Sequence, residues 1–546
     1  MAPRQFWSSR TTFLLAAIGS AVGLGNLWRF PYIAFKNGGG AFLVPYFVAL
    51  LTTGIPLLMA EYAFGARSKT GAPHAMRKIS PKVEWVGWWA ILTGFVILTY
   101  YMAVMAWSWF YMIKSPSIPW AEDAKGYFFN SVLQISDGPM QIGGIIWPLA
   151  LATLATWIIC YLITRWGTKS VGAVVKWTVP LPYILLVILL VHGLRQMGSI
   201  EGLIYYLTPT WDVLTNPQVW MAAYGQVFFS LSLGFGVMIA YASYLKSKED
   251  LPWQATFAGL ANSATEFFAG FVVFAVLGAL AAVTSVNITE VVAGGPGLAF
   301  VAFPMALAAL PFAKFFSFVF FLMLLTLGID SAFSLLEAAT TAIQDRYPKF
   351  RRGRILFVLC FIGFLIGLLF VTNAGLYWLD IVDHWMNSYG LVGVGLAEAL
   401  ILTFLLGTKK LKSELNAHTI RPVGLIWELS IWFITPIALT VTIILSLKGE
   451  FTSAYEGYPP IALAIGGWGI WTLTIVLALL LQKDKMKWAK LLGFLLIIGV
   501  VLVAMFVSTA LAMGLFGSII LVGGLLWLLA IDWLKRKKLS PKSATK

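Results

Sequence analysis

The sequence predicts an all-α protein that crosses a membrane twelve to fourteen times. Of its 546 residues, 60% are hydrophobic and 11% are charged, and the mean hydropathy is +0.85. A soluble globular chain carries about 25% charged residues, so this composition excludes a soluble multidomain enzyme. Apolar runs of roughly 20 residues, the length that crosses the hydrocarbon core of a bilayer, recur along the chain and leave no charged surface for soluble domains.

Twelve such runs are predicted to be membrane-spanning helices. The first follows Arg4 and Arg10 and lacks a convincing cleavage site, so we expect it to be retained and not removed as a signal peptide. The predicted spans cover residues 11–35, 41–65, 86–113, 141–164, 171–194, 218–244, 254–284, 311–343, 354–371, 377–406, 427–447 and 458–482. A longer apolar tract, 488–534, has two glycines near its middle and is interpreted as spans 13 and 14.

The basic residues indicate the orientation of these spans. Lys and Arg concentrate in alternate loops, whereas the opposite loops, such as 285–310 and 372–383, contain none. Because cytoplasmic loops carry an excess of Lys and Arg, we expect a multi-pass protein of the cell membrane with both termini in the cytoplasm. Termini on one side require an even number of spans, which favours fourteen over thirteen.

The charge and the side-chain inventory exclude several classes of function. The net charge is +15, but no basic cluster alternates with polar recognition residues, so nucleic acid is not an expected partner. The four histidines form no HExxH pattern, and GxSxG is absent. An enzyme is therefore not predicted. Cys160 and Cys360 both lie in apolar runs, and we expect no disulfide between them.

Two predicted spans contain glycines that would weaken a continuous helix. Span 1 reads GSAVGLGNLWRFPY at 19–32, and span 6 reads FFSLSLGFG at 228–236. Glycine costs about 1 kcal/mol in a helix. A broken helix exposes backbone carbonyls that can bind a cation and N–H groups that can bind an anion. The alternative is that these glycines only permit close helix packing.

Polar residues inside the predicted spans are a further signal. A charge at the bilayer centre costs about 2.5–3.5 kcal/mol on insertion scales. The residues concerned are Asn26, Arg29, Glu61, Gln226, Asn262, Glu266, Asp330, Ser331 and Glu398. A single one is often a hydrogen bond between helices, but so many on different spans predict an ion path.

These segments resemble the neurotransmitter:sodium symporter family. The most specific is AVGLGNLWRFPY…NGGGAFLVPY at 21–46, and 226–244, 294–300 and 326–331 follow in the expected order. The resemblance covers roughly residues 4–450 and gives no support to spans 13 and 14. It implies two inverted five-helix repeats with broken spans 1 and 6. We therefore expect a transport core at 1–406, spans 11 and 12 at 407–482, and a hairpin with a basic tail at 483–546.

The resemblance also implies where sodium and substrate bind. The first sodium site would use the carbonyl of Ala21 and the side chains of Asn26, Ser230 and Asn262, and the second would use carbonyls of Gly19, Val22 and Leu327 with Asp330 and Ser331. The substrate site would comprise Ala21, Gly23, Gly25, Ile97, Tyr101, Phe229, Ser230, Ser232, Phe235 and Leu335. Tyr101 matches the tyrosine that holds the substrate carboxylate. Gly23 stands where monoamine transporters have an Asp, so an amino acid is the expected substrate.

Two pairs of charged residues resemble gates. Arg29 and Asp383 match the outer pair, above Phe235, and Arg4 and Asp345 match the cytoplasmic pair, beside Trp7 and Tyr244. An ion pair that opens in each cycle should be partly hydrated, because separating a fully buried pair is costly. The alternative is that these are ordinary interfacial charges.

Glu266 is expected to replace chloride. It lies four residues after Asn262 and so shares one face of span 7 with it, close to where Tyr46, Gln226 and Ser230 should meet. In chloride-dependent relatives the matching residue is a serine, and bound chloride supplies the negative charge. Desolvation favours the neutral carboxyl when Na⁺ is absent, which would allow proton counter-transport.

The sequence therefore predicts a sodium-coupled symporter of neutral apolar or aromatic L-amino acids that works by alternating access. Its expected partners are an amino acid, Na⁺ and the lipid bilayer. The nearest alternative is a sodium-independent amino-acid exchanger of related fold, and the set of sodium-site residues argues against it. The exact amino acid, the Na⁺ stoichiometry and the oligomeric state are left open.

Overall fold

The computed structural model describes residues 5–246, 249–292 and 294–483, and the regular elements in these ranges are all helices. The helices long and apolar enough to cross a membrane are Gly40–Ser68, Pro81–Lys114, Trp147–Thr164, Thr168–Leu194, Leu251–Thr284, Ala313–Arg346, Arg352–Val371, Gly375–Asn416, Leu425–Gly457 and Pro460–Leu481. They are preceded by Arg10–Ala21 and Leu24–Lys36, two apolar helices bent by 50° relative to each other. The predicted all-α polytopic fold is confirmed.

Span 6 is also divided. Its first half is Pro217–Ser230 and its second half is Val237–Ser243, with six residues, 231–236, between them. Counting each divided pair as one span, the twelve predicted spans correspond in order to helices, and we number them span 1 to span 12. The C-terminal hairpin with spans 13 and 14, like Arg4, lies outside the described residues.

Two boundaries differ from the sequence prediction. Span 4 begins at Trp147, not at 141, because the preceding segment is extended and Ile145 pairs with Thr372 beyond the end of span 9. Span 10, Gly375–Asn416, extends beyond the predicted end at 406, but its last part, Thr408–Asn416, is set off by Gly407, which has φ of +88°. This positive φ interrupts the helix near the expected boundary of the transport core.

The breaks in spans 1 and 6 have different backbone causes. In span 1, Val22 is extended, with φ −78° and ψ 104°. In span 6, three residues have positive φ: Ser232 at +54°, Gly234 at +76° and Gly236 at +71°. Glycine adopts this region readily, whereas a non-glycine residue such as Ser232 is strained there. The broken segments are thus defined backbone structures.

The glycine Gly202 allows a short helix to pack closely against span 7. The helix Ser199–Leu207 lies on span 7, and a Cβ at Gly202 would overlap the carbonyl of Phe274. Gly225 in span 6 is a matched contrast, because a Cβ there would meet no atom of the described ranges within 4 Å.

We expect Gly202→Ala to lower the unfolding temperature in detergent, because overpacking costs about 1–3 kcal/mol. Gly225→Ala should leave it unchanged or raise it, since alanine favours a helix over glycine by about 1 kcal/mol. Equal unfolding temperatures for the two variants would contradict this packing.

Candidate functional site

A cavity lies between the two broken spans. It is lined by Ser20, Ala21, Gly23, Leu24, Gly25, Asn26, Ile97, Tyr101, Gln226, Phe229, Ser230, Ser232, Phe235, Ser331, Ser334 and Leu335. The ten residues expected to bind substrate are all among them, and none of the lining residues is charged. Ser20 and Ser334 were not anticipated, because nothing in the sequence distinguishes them from other serines in spans.

Glycines allow the backbone of span 1 to approach the polar end of the cavity. A Cβ at Gly23 would lie 2.8 Å from Ser331 Oγ and 3.3 Å from the Tyr101 hydroxyl. That hydroxyl accepts a hydrogen bond of 3.4 Å from the N–H of Leu24. Leu24 is the first residue of the second half of span 1, where helical N–H groups lack intrahelical partners. A hydroxyl beside such N–H groups suits an anionic group.

The other side of the cavity is apolar. The rings of Phe229 and Phe235 have centroids 6.3 Å apart and are inclined by 60°. Gly94 of span 3 leaves room for Phe235 and Leu335, since a Cβ there would come within 3.3 Å of each side chain. Ile97 is buried on the same span. This side can hold an apolar group, and it offers no charged partner.

A chain of hydrogen bonds links the residues of the expected first sodium site. Asn26 Nδ2 donates to Asn262 Oδ1 at 2.8 Å, and Asn262 Nδ2 donates to Ser230 Oγ at 2.6 Å. The N–H of Gly23 donates to Asn26 Oδ1 at 2.8 Å. Each amide oxygen accepts one bond here and retains a second lone pair. The three side chains are buried and present oxygen atoms suited to a hard cation.

A carboxylate lies one helical turn from this chain. Glu266 is fully buried and accepts hydrogen bonds from the Tyr46 hydroxyl and from Gln226 Nε2. Tyr46 also contacts Ser263 Oγ at 2.8 Å. The structure thus brings Tyr46 and Gln226 onto Glu266, beside Asn262.

The expected second sodium site contains an unsatisfied oxygen. Asp330 of span 8 is 2% exposed, and its Oδ1 has no hydrogen-bond partner among the described residues. Asp330 lies against span 1, because a Cβ at Gly19 would be 2.8 Å from Oδ2. The next residue, Ser331, donates to the carbonyl of Ser20 at 3.2 Å. A buried carboxylate oxygen without a donor is costly, and a cation bound there would satisfy it.

The outer charged residues do not form a direct ion pair in the described part of the chain. The guanidinium of Arg29 lies 4.7 Å from the centroid of the Phe229 ring. Asp383 instead accepts hydrogen bonds from the Tyr100 hydroxyl at 2.6 Å and from Asn387 Nδ2 at 2.7 Å. Tyr100, which was not predicted to be a functional residue, therefore forms a hydrogen bond with Asp383, the carboxylate that was expected to pair with Arg29.

At the opposite end of the molecule, Trp7 and Tyr244 pack against each other. The Trp7 backbone N–H donates to the carbonyl of Tyr244 at 3.1 Å, and its Nε1 donates to Tyr241 at 2.9 Å. Asp345 accepts a hydrogen bond of 2.7 Å from the N–H of Gly71 in the loop after span 2.

One ion pair at this end, between Glu337 and Arg352, was not anticipated from the sequence. Glu337 of span 8 is buried and pairs with Arg352 of span 9. The hydroxyl of Tyr244 donates to Glu337 at 3.0 Å, so the second half of span 6 is joined to spans 8 and 9. No local sequence pattern predicts this contact, because the three residues belong to three separate helices.

We expect Tyr46→Phe to lower the unfolding temperature, because a buried acceptor that loses its donor costs about 1–3 kcal/mol. Tyr62→Phe is the control, since the Tyr62 hydroxyl is equally buried but has no hydrogen-bond partner among the residues that the structure describes. Thermal unfolding of the purified variants measures both. A larger loss for Tyr62→Phe would contradict the Tyr46–Glu266 bond.

Comparison with known proteins identifies the family. The chain matches the sodium:neurotransmitter symporter family over residues 4–127 and 121–513. It is 42% identical over 484 residues to an uncharacterised sodium-dependent transporter of Methanocaldococcus jannaschii, covering 88% of this chain and 98% of the relative. It is 36% identical over 482 residues to the sodium- and chloride-dependent GABA transporter 2 of Homo sapiens, covering 81% and 80%. This multi-pass membrane protein therefore belongs to the sodium:neurotransmitter symporter family and is a sodium-dependent transporter, not an enzyme.

Proposed function

We propose that the protein is a secondary active symporter that couples Na⁺ entry to the uptake of a neutral apolar or aromatic L-amino acid by alternating access. The observation that supports this proposal is that the cavity has a polar end and an apolar end. Its polar end combines the Tyr101 hydroxyl with the N–H of Leu24, and the rest of its wall is uncharged and largely apolar. A free carboxylate fits the first part, and an apolar side chain fits the second.

The polar end favours an amino acid over a monoamine. A monoamine needs a carboxylate for its ammonium group, and no Asp or Glu lines the cavity. A side chain at Gly23 would collide with Ser331 Oγ, so the backbone itself is placed to meet the ligand. GABA appears in the name of a relative, but its unbranched chain would leave the wall around Phe229 and Phe235 unfilled. Larger apolar side chains match that wall better.

Sodium is proposed to bind as co-transported cargo at two places. The first combines Asn26, Asn262 and Ser230 with the carbonyl of Ala21. The second combines Asp330 and Ser331 with carbonyls of Gly19, Val22 and Leu327. The unpartnered Asp330 Oδ1 supports a cation at the second place, and it argues against the sodium-independent exchanger.

We also propose the placement in the cell membrane. Both termini would be cytoplasmic, so the cluster of Trp7, Tyr244 and Glu337 would form the inner end of the pathway. Residues 1–406 would form the transport core, with 407–482 and the hairpin at 483–546 outside it. Arg29 and Asp383 would then act at the outer end, where the Tyr100 hydroxyl donates to Asp383.

Competition for Na⁺-dependent uptake tests the substrate class. Proteoliposomes with an inward Na⁺ gradient are offered a labelled leucine together with each of the twenty amino acids, GABA or dopamine. We expect leucine, methionine and aromatic amino acids to compete, and accumulation above equilibrium to require Na⁺. Competition by GABA or dopamine but not by leucine would overturn the substrate class. Uptake that never exceeds equilibrium would favour a channel, and accumulation without Na⁺ would favour the exchanger.

Asp330→Asn tests the second sodium place, because it removes the charge while keeping the side-chain size. We expect the Na⁺ concentration for half-maximal binding to rise at least about tenfold, which corresponds to 1.4 kcal/mol. Asp212→Asn is the control, because Asp212 is exposed in the loop before span 6. Unchanged Na⁺ dependence in folded Asp330→Asn would rule out this assignment.

Replacement of chloride by gluconate tests the role of Glu266. We expect wild-type uptake to be unaffected, because the carboxylate already supplies a negative charge beside Asn262. Glu266→Ser should become chloride-stimulated, since the charge would then have to come from a bound anion. A wild-type protein that stops without chloride would show that Glu266 does not fill this role.

A further inference from the structure

The segment that joins spans 11 and 12 folds onto the first turns of span 10. We call this segment, residues 453–459, the clasp. The hydroxyl of Tyr455 donates to Asp380 Oδ1 at 3.2 Å, and the hydroxyl of Tyr458 donates to Asp380 Oδ2 at 3.0 Å. The chain turns sharply between the two tyrosines, where Glu456 has φ of +47°. Both oxygens of one carboxylate on span 10 therefore hold the clasp.

A histidine one helical turn further along span 10 makes a second connection. His384 Nε2 lies 2.6 Å from Oε1 of Glu450, near the end of span 11. The His384 ring also stacks on Tyr455 of the clasp, with centroids 3.8 Å apart and planes inclined by 20°. The side chains of His384 and Glu450 are 21% and 13% exposed, so water reaches the pair. Asp380 and His384 are four residues apart and so share one face of the helix.

The same turn of span 10 carries Asp383. Its carboxylate accepts a hydrogen bond of 2.6 Å from the Tyr100 hydroxyl of span 3. Arg29 of span 1 lies over the ring of Phe229 instead. Any contact that holds this turn of span 10 therefore also sets where the Asp383 carboxylate lies between spans 1 and 3.

His384 is placed among three carboxyl groups: Glu450 at 2.6 Å, and Asp380 and Asp383 on its own helix. In the ranges that the structure describes, no Lys or Arg forms an ion pair with any of the three. A protonated imidazole would supply the positive charge that they lack. The other titratable groups on the elements packed here are phenols, which are neutral below about pH 10, and two exposed side chains: Tyr100, Tyr389, Tyr455, Tyr458, Lys448 and Glu456.

The His384 contact is suited to respond to pH. An imidazole changes charge between about pH 5 and 8, and a charged hydrogen bond is roughly twice as strong as a neutral one. We propose that His384 is a positioning residue that, when protonated, fastens span 11 and the clasp to span 10 and keeps Asp383 against Tyr100. In that position Asp383 is not paired with Arg29. As the pH rises, the imidazole loses its proton to water and the contact weakens. The inference rests on the proposed function only in placing this end of the protein outside the cell.

Hydrogen exchange in the clasp tests the contact without transport. The backbone N–H groups of 453–459 are followed by mass spectrometry in full-length protein in nanodiscs at pH 6 and pH 8, with correction for the intrinsic exchange rates. We expect wild-type protection to be on the order of fivefold higher at pH 6, the difference between a charged and a neutral hydrogen bond. Glu450→Gln should lose this difference, because glutamine keeps the size of the side chain and removes its charge. Equal wild-type protection at both pH values, or an unchanged difference in Glu450→Gln, would overturn the proposal.

Two further variants separate the histidine from the other contacts. His418→Gln is the matched control, because His418 is exposed in the loop after span 10, and it should behave as the wild type. Tyr458→Phe removes one hydrogen bond to Asp380. It should lower protection at both pH values and keep the difference between them. A pH difference that disappears in either variant would contradict the assignment to His384.

Uptake measures whether the contact positions Asp383. Proteoliposomes are held at one inside pH while the outside pH is 6 or 8. We expect the KM for Na⁺ to be about twofold lower at pH 6, because an unpaired Asp383 leaves the entrance open and a positioning contact transmits only part of the change in bond strength. The effect should be smaller in Glu450→Gln and unchanged in His418→Gln.

The two measurements fail in different ways. Equal pH effects on KM in the wild type and Glu450→Gln would show that His384 holds the clasp without positioning Asp383, which would overturn the proposal. Absence of Na⁺-driven uptake in the wild type would count against the proposed function, and hydrogen exchange alone would then decide the role of His384.

Discussion

The fold depends on how the backbone N–H and C=O groups find hydrogen-bond partners where spans 1 and 6 break. Inside a bilayer no water is present to pair exposed N–H and C=O groups, so broken helices persist only where protein groups replace the lost bonds. Here the replacements are side chains: Tyr101 meets the N–H of Leu24, Asn26 meets Gly23 and Glu61 meets Gly234. The carbonyl of Ser20 accepts bonds from Ser331 and Ser232.

These side chains explain why so many polar residues are tolerated in the spans. Most of them form a hydrogen bond with a group at a break or with another polar residue, and Asn26, Gln226 and Ser331 line the cavity. The excess of oxygen acceptors over donors leaves Asp330 Oδ1 unpaired, and this imbalance favours the entry of a cation. In the proposed function, the breaks would supply both an exposed backbone for the substrate and oxygen atoms for Na⁺.

The two ends of the pathway are held differently. At the end that we propose to be cytoplasmic, Trp7 packs on Tyr244, and Glu337 forms a buried ion pair with Arg352. At the end that we propose to be the outer one, Arg29 lies over Phe229 without a direct bond to Asp383 in the described residues. Because separating a buried ion pair is costly, we expect the first of these ends to be the harder to open.

The sequence by itself determined the helical membrane fold, the order of twelve spans and the positions of both breaks, which follow from local properties: apolar run length, glycine placement and polar residues within apolar runs. Most of the residues that line the cavity were implied by the resemblance to a known family, and not by any local pattern. Only the tertiary structure decided the partners of the polar groups, such as Tyr100 for Asp383 and Arg352 for Glu337. Those contacts join helices far apart in the chain, and their geometry depends on helix packing that no local pattern specifies.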